Sequence, residues 1–225
     1  MSNQNDGRRV LVIAAHPDDE LLGGGATFAK RLRAGDEVHA VVVCEGETVR
    51  YQSSGQNVRQ QDHAREAAAV LGFTSFRCLM LPDQRLDTLS QVDLNQKLEQ
   101  LIDQIRPAVV YTHFHGDINR DHQVLHDSVM VATRPSRDFV REVLAFETPS
   151  STGLWRKHCF NPDTFEVVTD TLEVKLAAMA CYETEALAYP HPRSIEALRC
   201  RARYWGSIIH QPAAEAFMTL RRIRT

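Results

Sequence analysis

The chain has no C-x-x-C pair, no long apolar run and no surplus of basic charge. Its five cysteines, Cys44, Cys78, Cys159, Cys181 and Cys200, are odd in number and widely spaced. A disulfide framework or a cysteine-built zinc site is therefore not expected, and a reducing cytoplasm is the expected compartment. Without an apolar stretch of about 20 residues, no membrane-spanning helix is expected. The opening Met1–Gly7 is polar and has no apolar core of a secretory signal. With a net charge of -3, nothing would neutralise a run of phosphates, so nucleic acid is not an expected partner. Linkers, internal repeats and low-complexity tracts are also missing. The 225 residues, 43% hydrophobic and 24% charged, thus read as one domain with a sizeable core and a soluble surface.

What is there alternates. Val10–Ala15 is a short apolar run typical of a strand buried on both faces. Glu20 to about Ala34 carries Leu21, Leu22, Phe28, Ala29 and Leu32 as a helical stripe. Val38–Cys44 reads as a strand, Glu45–Gln56 as a loop long enough to be functional, and Asn57–Leu71 as a helix ended by Gly72. Phe76–Leu81 (strand), Val92–Ile105 (helix), Pro107–Thr112 (strand), Asp121–Thr133 (helix) and Val143–Phe146 (strand) follow. Phe165–Val168 is an expected edge strand, with helices over Leu172–Cys181 and Ser194–Ile209. This order implies an α/β, single-domain, three-layer Rossmann-like fold, a mostly parallel sheet with helices on both faces. Ligands of such sheets sit beyond the carboxyl ends of the strands, so the residues after each strand are where chemistry is sought.

Two such places stand out. His16-Pro17-Asp18-Asp19-Glu20 follows the first strand. One helix cap needs one acidic side chain, whereas three carboxylates crowded with an imidazole need a cation to hold them. His16 and Asp19 can aim at one point, with Asp18 beside it. The Gly23-Gly24-Gly25 run falls after the helix start, not before it, and is a weak phosphate signal. After the fourth strand come His113, His115, Asn119, Asp121 and His122, with His126 one turn further on. His122 can complete a three-ligand site that leaves zinc an open position, as catalytic zinc requires. His126 shares a helix face with His122 and is the alternative ligand. Asp121 is placed to orient an imidazole. Arg59, Asp83 and Arg193 are candidates for binding sugar hydroxyls or a phosphate, set against ordinary surface ion pairing. Glu147 follows a strand and is a further candidate for the same cleft. Trp155 and Tyr182 read as core aromatics before sugar-stacking ones.

Ala15–Glu20, Asp117–His122, Phe146–Thr152, His191–Ser194 and Ala214–Phe217, in that order along nearly the whole chain, resemble the LmbE-like, PIG-L-type zinc de-N-acetylases. The resemblance implies zinc held by His16, Asp19 and His122, and Asp18 as general base. It also implies an N-acetylated small-molecule substrate, commonly a glucosamine-type sugar, and leaves a homo-oligomer open. Relatives in thiol-cofactor pathways often carry His-Pro-Asp-His where this chain has Asn119-Arg120-Asp121-His122. The histidine that assists the tetrahedral intermediate is therefore missing, and His113, His115 or Asn119 is expected to replace it. Two rivals stand beside this reading. Magnesium phosphoryl transfer is disfavoured by the histidines. A non-catalytic sugar- or metal-binding module would not need Asp18.

Overall fold

The computed structural model describes residues 7–46, 60–152 and 159–224. Seven strands form one sheet in the order β3-β2-β1-β4-β5-β7-β6. They are β1 (Arg9–Ala14), β2 (Glu37–Cys44), β3 (Ser75–Leu81), β4 (Val109–His113), β5 (Glu142–Phe146), β6 (Thr164–Val167) and β7 (Ala214–Arg222). The first five run parallel; β7 pairs antiparallel with both β5 and β6. The helices are α1 (Asp19–Arg33), α2 (Gln60–Leu71), α3 (Gln91–Ile105), α4 (Arg120–Ala132), α5 (Leu172–Ala180) and α6 (Ile195–Ile208). The expected mostly parallel, helix-covered sheet is what the chain forms.

Strand β1 shows why. Val10, Val12 and Ala14 face one apolar core, which α1, α2, α5 and α6 cover. Leu11, Ile13 and Ala15 face a second, covered by α3 and α4. A strand buried on both faces needs apolar residues at every position, and that is its sequence. The chain runs outward from β1 through β2 to β3, then returns to place β4 on the other side of β1. The two loops that diverge there open a crevice at the carboxyl ends of β1 and β4.

One feature departs from the sequence expectations. Strand β7 was not expected, because Glu215 and the basic end Arg221-Arg222 interrupt its apolar alternation. Glu215 is nonetheless 5% exposed, because a lysine described below meets it. As expected, the triple glycine lies inside α1, whose backbone leaves helical geometry at Gly24, and it forms no phosphate loop. Gly23 has a packing role: a β-carbon there would stand 2.3 Å from Phe146 Cδ2. Alanine normally gains about 1 kcal/mol over glycine in a helix. Here the overpacking reverses the sign, and Gly23→Ala is expected to destabilise by about 1–3 kcal/mol, read as a lower urea midpoint.

Candidate metal centre and cleft

The turn after β1 is built around an unusual backbone. Asp18 precedes α1 at φ 102°, ψ -28°. A side chain there costs about 1–3 kcal/mol, a strain that marks functional positions. Glu20 helps hold it, since its Oε2 accepts the Asp18 N–H at 3.2 Å. Glu20 Oε1 in turn accepts the Tyr182 hydroxyl at 2.6 Å. Burial pushes the Glu20 carboxyl up to about 7, against the pull of Tyr182. Asp18 makes no side-chain cap bond to the helix, so capping does not explain the acidic cluster.

Three donor atoms from the two motifs converge. His16 Nδ1 lies 3.1 Å from Asp19 Oδ2 and 3.2 Å from His122 Nε2. His122 Nε2 lies 3.1 Å from Asp19 Oδ2. Ligands bonded at ~2.0–2.1 Å to one tetrahedral ion stand about 3.3 Å apart, so the triangle fits a shared divalent cation. The outer ring nitrogens support this. His16 Nε2 faces Asp121 Oδ2 at 3.1 Å and Asp83 Oδ1 at 3.2 Å. His122 Nδ1 faces Asp117 Oδ2 at 3.3 Å. Carboxylates on the outer nitrogens keep the protons there and turn both inner lone pairs toward one point. Burial opposes charge on Asp19, yet His122 beside it holds its carboxyl well below the usual range.

A second donor set, His16, Cys44, Asp83 and Asp121, lies on the outer side of His16. Burial pushes the Cys44 thiol up to about 12, so it stays protonated and donates to Asp121 Oδ2 at 3.6 Å. His16, Asp19 and His122 all line the open cleft described next, whereas Cys44 and Asp121 do not. The inner triangle is therefore the better metal centre, and the outer set its support. Asp121 is further fixed by the Leu86 N–H at 3.0 Å.

The centre opens into a cleft of about 290 Å³ lined by His16, Asp18, Asp19, Asp83, Asn119, His122 and Arg193 among others. Arg193 donates to Asp18 Oδ2 at 2.8 Å and to Ser150 Oγ at 3.0 Å. Burial drives the Asp18 carboxyl well above its ordinary range, Arg193 pulls it back, and Asp19, Glu185 and Glu20 add to the rise. Asn119 caps α4, its side chain accepting the Asp121 N–H at 2.9 Å, while its Nδ2 donates to Gln84 Oε1 at 3.3 Å.

Other expected residues fall elsewhere. His113 is fully buried beneath the centre. Its Nε2 accepts the Ala15 N–H at 2.9 Å, and its ring stacks on His122 with centroids 3.8 Å apart. That acceptor role leaves Nε2 no proton to give, so His113 supports His122 rather than touching substrate. His115 is exposed and packs edge-on to Phe114, outside the cleft lining. His126 turns away to the His113 carbonyl at 2.8 Å and is not a ligand alternative. Glu147 does not line this cleft. It accepts the Trp205 indole N–H at 2.6 Å and pairs with Arg201 at 3.2 Å in a separate small cavity, because β5 carries it past the centre toward α6. Tyr182 is core. Arg59, Trp155 and most of the expected functional loop lie outside the described residues. Gln84, Glu185 and His191 line the cleft and were not foreseen. His191 and Gln84 sit in motif or turn stretches, but nothing in their spacing singles them out.

The fold and this centre define an α/β protein with a His–Asp–His cluster, able to hold a metal ion, at the switch point of its sheet. Residues 11–133 match the model of the GlcNAc-PI de-N-acetylase family, PIG-L, and the chain belongs to that family. It is 31% identical over 190 residues to an uncharacterized deacetylase of Escherichia coli K12, YaiS, covering 80% of this chain and 92% of that one. It is 26% identical over 194 residues to the diacetylchitobiose deacetylase of Thermococcus kodakarensis, covering 80% and 71%. The 4-carboxy-2-hydroxymuconate hydratase of Pseudomonas putida KT2440 has a similar fold, with a TM-score of 0.75 at 20% identity over 97% of this chain and 98% of that one. Family and relatives support N-deacetylase chemistry; the hydratase shows that the fold alone does not choose a reaction. Among the described residues, no helix is long and apolar enough to cross a membrane.

Proposed function

We propose that the protein is a zinc-dependent amide hydrolase that removes an N-acetyl group from an amino sugar or related small molecule, releasing acetate and a free amine. The observation that carries this is the inner triangle of His16, Asp19 and His122 with Asp18 in the same cleft. Two nitrogen donors and one carboxylate suit zinc better than magnesium, which favours oxygen. When bound, zinc would act as a Lewis acid toward the acyl group and make water a better nucleophile near pH 7.

The chain's own residues supply the rest. Asp18 takes the proton of the attacking water and hands it to the departing amine nitrogen. The contact with Arg193 fixes the direction of its carboxylate. Asn119 is the proposed amide donor to the acyl oxygen, a contact typically worth ~2.7–4 kcal/mol. His113, Asp117, Asp121 and Asp83 hold the two imidazoles. The five free cysteines suit a reducing cytoplasm as the working compartment.

Acetate release from uncharged N-acetylglucosamine derivatives by the zinc-loaded protein tests the reading. Release of no acetate from such compounds, with zinc present at one per chain, would sink it. The ligand set is tested separately. Asp19→Ala and His122→Ala are each expected to lose stoichiometric zinc in elemental analysis after gel filtration; one zinc per chain in both variants would mean the centre lies elsewhere.

A further inference from the structure

We propose that Tyr182 is a positioning residue for the reaction: through Glu20 it fixes the direction in which Asp18 presents its carboxylate. The inference rests on the reading of Asp18 as general base above.

Asp18 is held at both of its flanking peptides. Its carbonyl accepts the Leu21 and Leu22 N–H groups at 3.0 and 2.9 Å, which ties that side to the first turn of α1. Its N–H meets Glu20 Oε2 at 3.2 Å. Peptide units are rigid planes, so fixing both of them fixes the bond on which the side chain leaves the backbone. At φ 102° that direction is one a free chain rarely adopts, and the surroundings must impose it.

Glu20 needs support for this task, because a glutamate has several rotatable bonds and turns unless its head is held. It is fully buried, and its second oxygen, Oε1, accepts the Tyr182 hydroxyl at 2.6 Å. Tyrosine suits the role. Its ring is rigid and packed into the apolar core on the α1 side of the sheet, and only the hydroxyl needs a partner. Burial and the Glu20 carboxylate hold the phenol well above its ordinary range, so the hydroxyl keeps its proton and donates.

The same residue reaches the other end of Asp18. The Tyr182 carbonyl accepts the Glu185 and Ala186 N–H groups at 2.9 and 2.8 Å. Glu185 pairs with Arg193, and Arg193 contacts the Asp18 carboxylate. Tyr182 itself lies outside the cleft lining, so it acts through Asp18 rather than on substrate. Support of this kind sets how closely a reacting group keeps its productive geometry.

Tyr182→Phe tests this, since it removes one oxygen and keeps the packed ring. The assay is acetate release from N-acetylglucosamine and N,N′-diacetylchitobiose by the zinc-loaded protein. For Tyr182→Phe, kcat is expected to fall about tenfold, because small misplacements of a reacting group lower rates by such factors. KM is expected to stay within about twofold of the parent, with zinc still at one per chain. In the Asp18→Asn background the same change is expected to remove nothing further, because the group it aims is gone. A merely structural tyrosine would lower turnover alike in both backgrounds. Glu20→Gln, which leaves one acceptor oxygen for two donors, is a second probe of the link and is expected to lose about threefold in kcat. Amide hydrogen exchange, read by nuclear magnetic resonance, needs no turnover. The Asp18 amide is expected to exchange about tenfold faster in Tyr182→Phe, with the amides of β1 unchanged.

Parent-like kcat in a folded Tyr182→Phe, an equal loss in both backgrounds, or an unchanged Asp18 exchange rate overturns the proposal and leaves the deacetylase standing. A parent protein that releases no acetate from either sugar, with faster Asp18 exchange in Tyr182→Phe, counts against the deacetylase and leaves the hold on Asp18 standing.

Discussion

Asp18→Asn is expected to lose about 10²- to 10⁴-fold in turnover, the range a positioned general base supplies, while retaining one zinc per chain. Asparagine keeps the size of the side chain and can still contact Arg193, but cannot accept the proton of the attacking water. Zinc should stay because Asp18 contributes no atom to the donor triangle of His16, Asp19 and His122. The paired measurement, acetate release with elemental analysis, separates the base from the ligands: Asp19→Ala should lose both metal and activity, Asp18→Asn activity alone. Undiminished turnover in Asp18→Asn would remove Asp18 from the chemistry and leave its strained backbone without a function.

The largest expected stability effect lies away from the cleft. Lys175 Nζ contacts Glu215 Oε1 at 2.6 Å, with side chains only 7% and 5% exposed. The pair sits at the break in α1. Glu215 accepts the Ala26 and Thr27 N–H groups at 3.3 and 2.7 Å, and Lys175 donates to the Leu22 carbonyl at 3.1 Å. Backbone groups that the break at Gly24 would leave buried and unpaired are thus satisfied by two side chains from α5 and β7. Lys175→Met strands the Glu215 carboxylate and is expected to cost about 3–5 kcal/mol, the usual result of removing one partner of a buried ion pair. Urea denaturation should show it as a lower midpoint with an unchanged slope. In the double variant with Glu215→Gln the loss should be smaller than the sum of the two single losses, because the stranded charge is gone. Additive losses would mean that the pair is not coupled.

The elements that were readable share one property: their burial follows from local pattern. Strand β1 is apolar at every position because helices cover both sides of it, and α3 shows the 3.6-residue stripe of Leu94, Leu98, Leu101 and Ile102. Strand β7 hid its register because its buried acid is neutralised by Lys175, 40 residues away, a compensation no local window contains. The site behaves the same way. His16, Asp18 and Asp19 follow β1 directly, His122 opens α4 after β4, and the four were legible as a group. Glu147 also follows a strand, yet its carboxylate is taken by Trp205 and Arg201. His113 looked like a spare acid-base group until its ring proved to be an acceptor beneath its neighbour.

The sequence by itself determined the alternation of strands and helices, the family, and the two short stretches that carry the chemistry, since each depends on residues adjacent in the chain. Only the tertiary structure decided which nitrogen of each imidazole turns inward, which histidines are shut out, and that Arg193 meets Asp18 and Glu185. Those outcomes depend on through-space distances of about 3 Å between groups up to 175 residues apart, where hydrogen bonding and charge act and sequence order has no bearing.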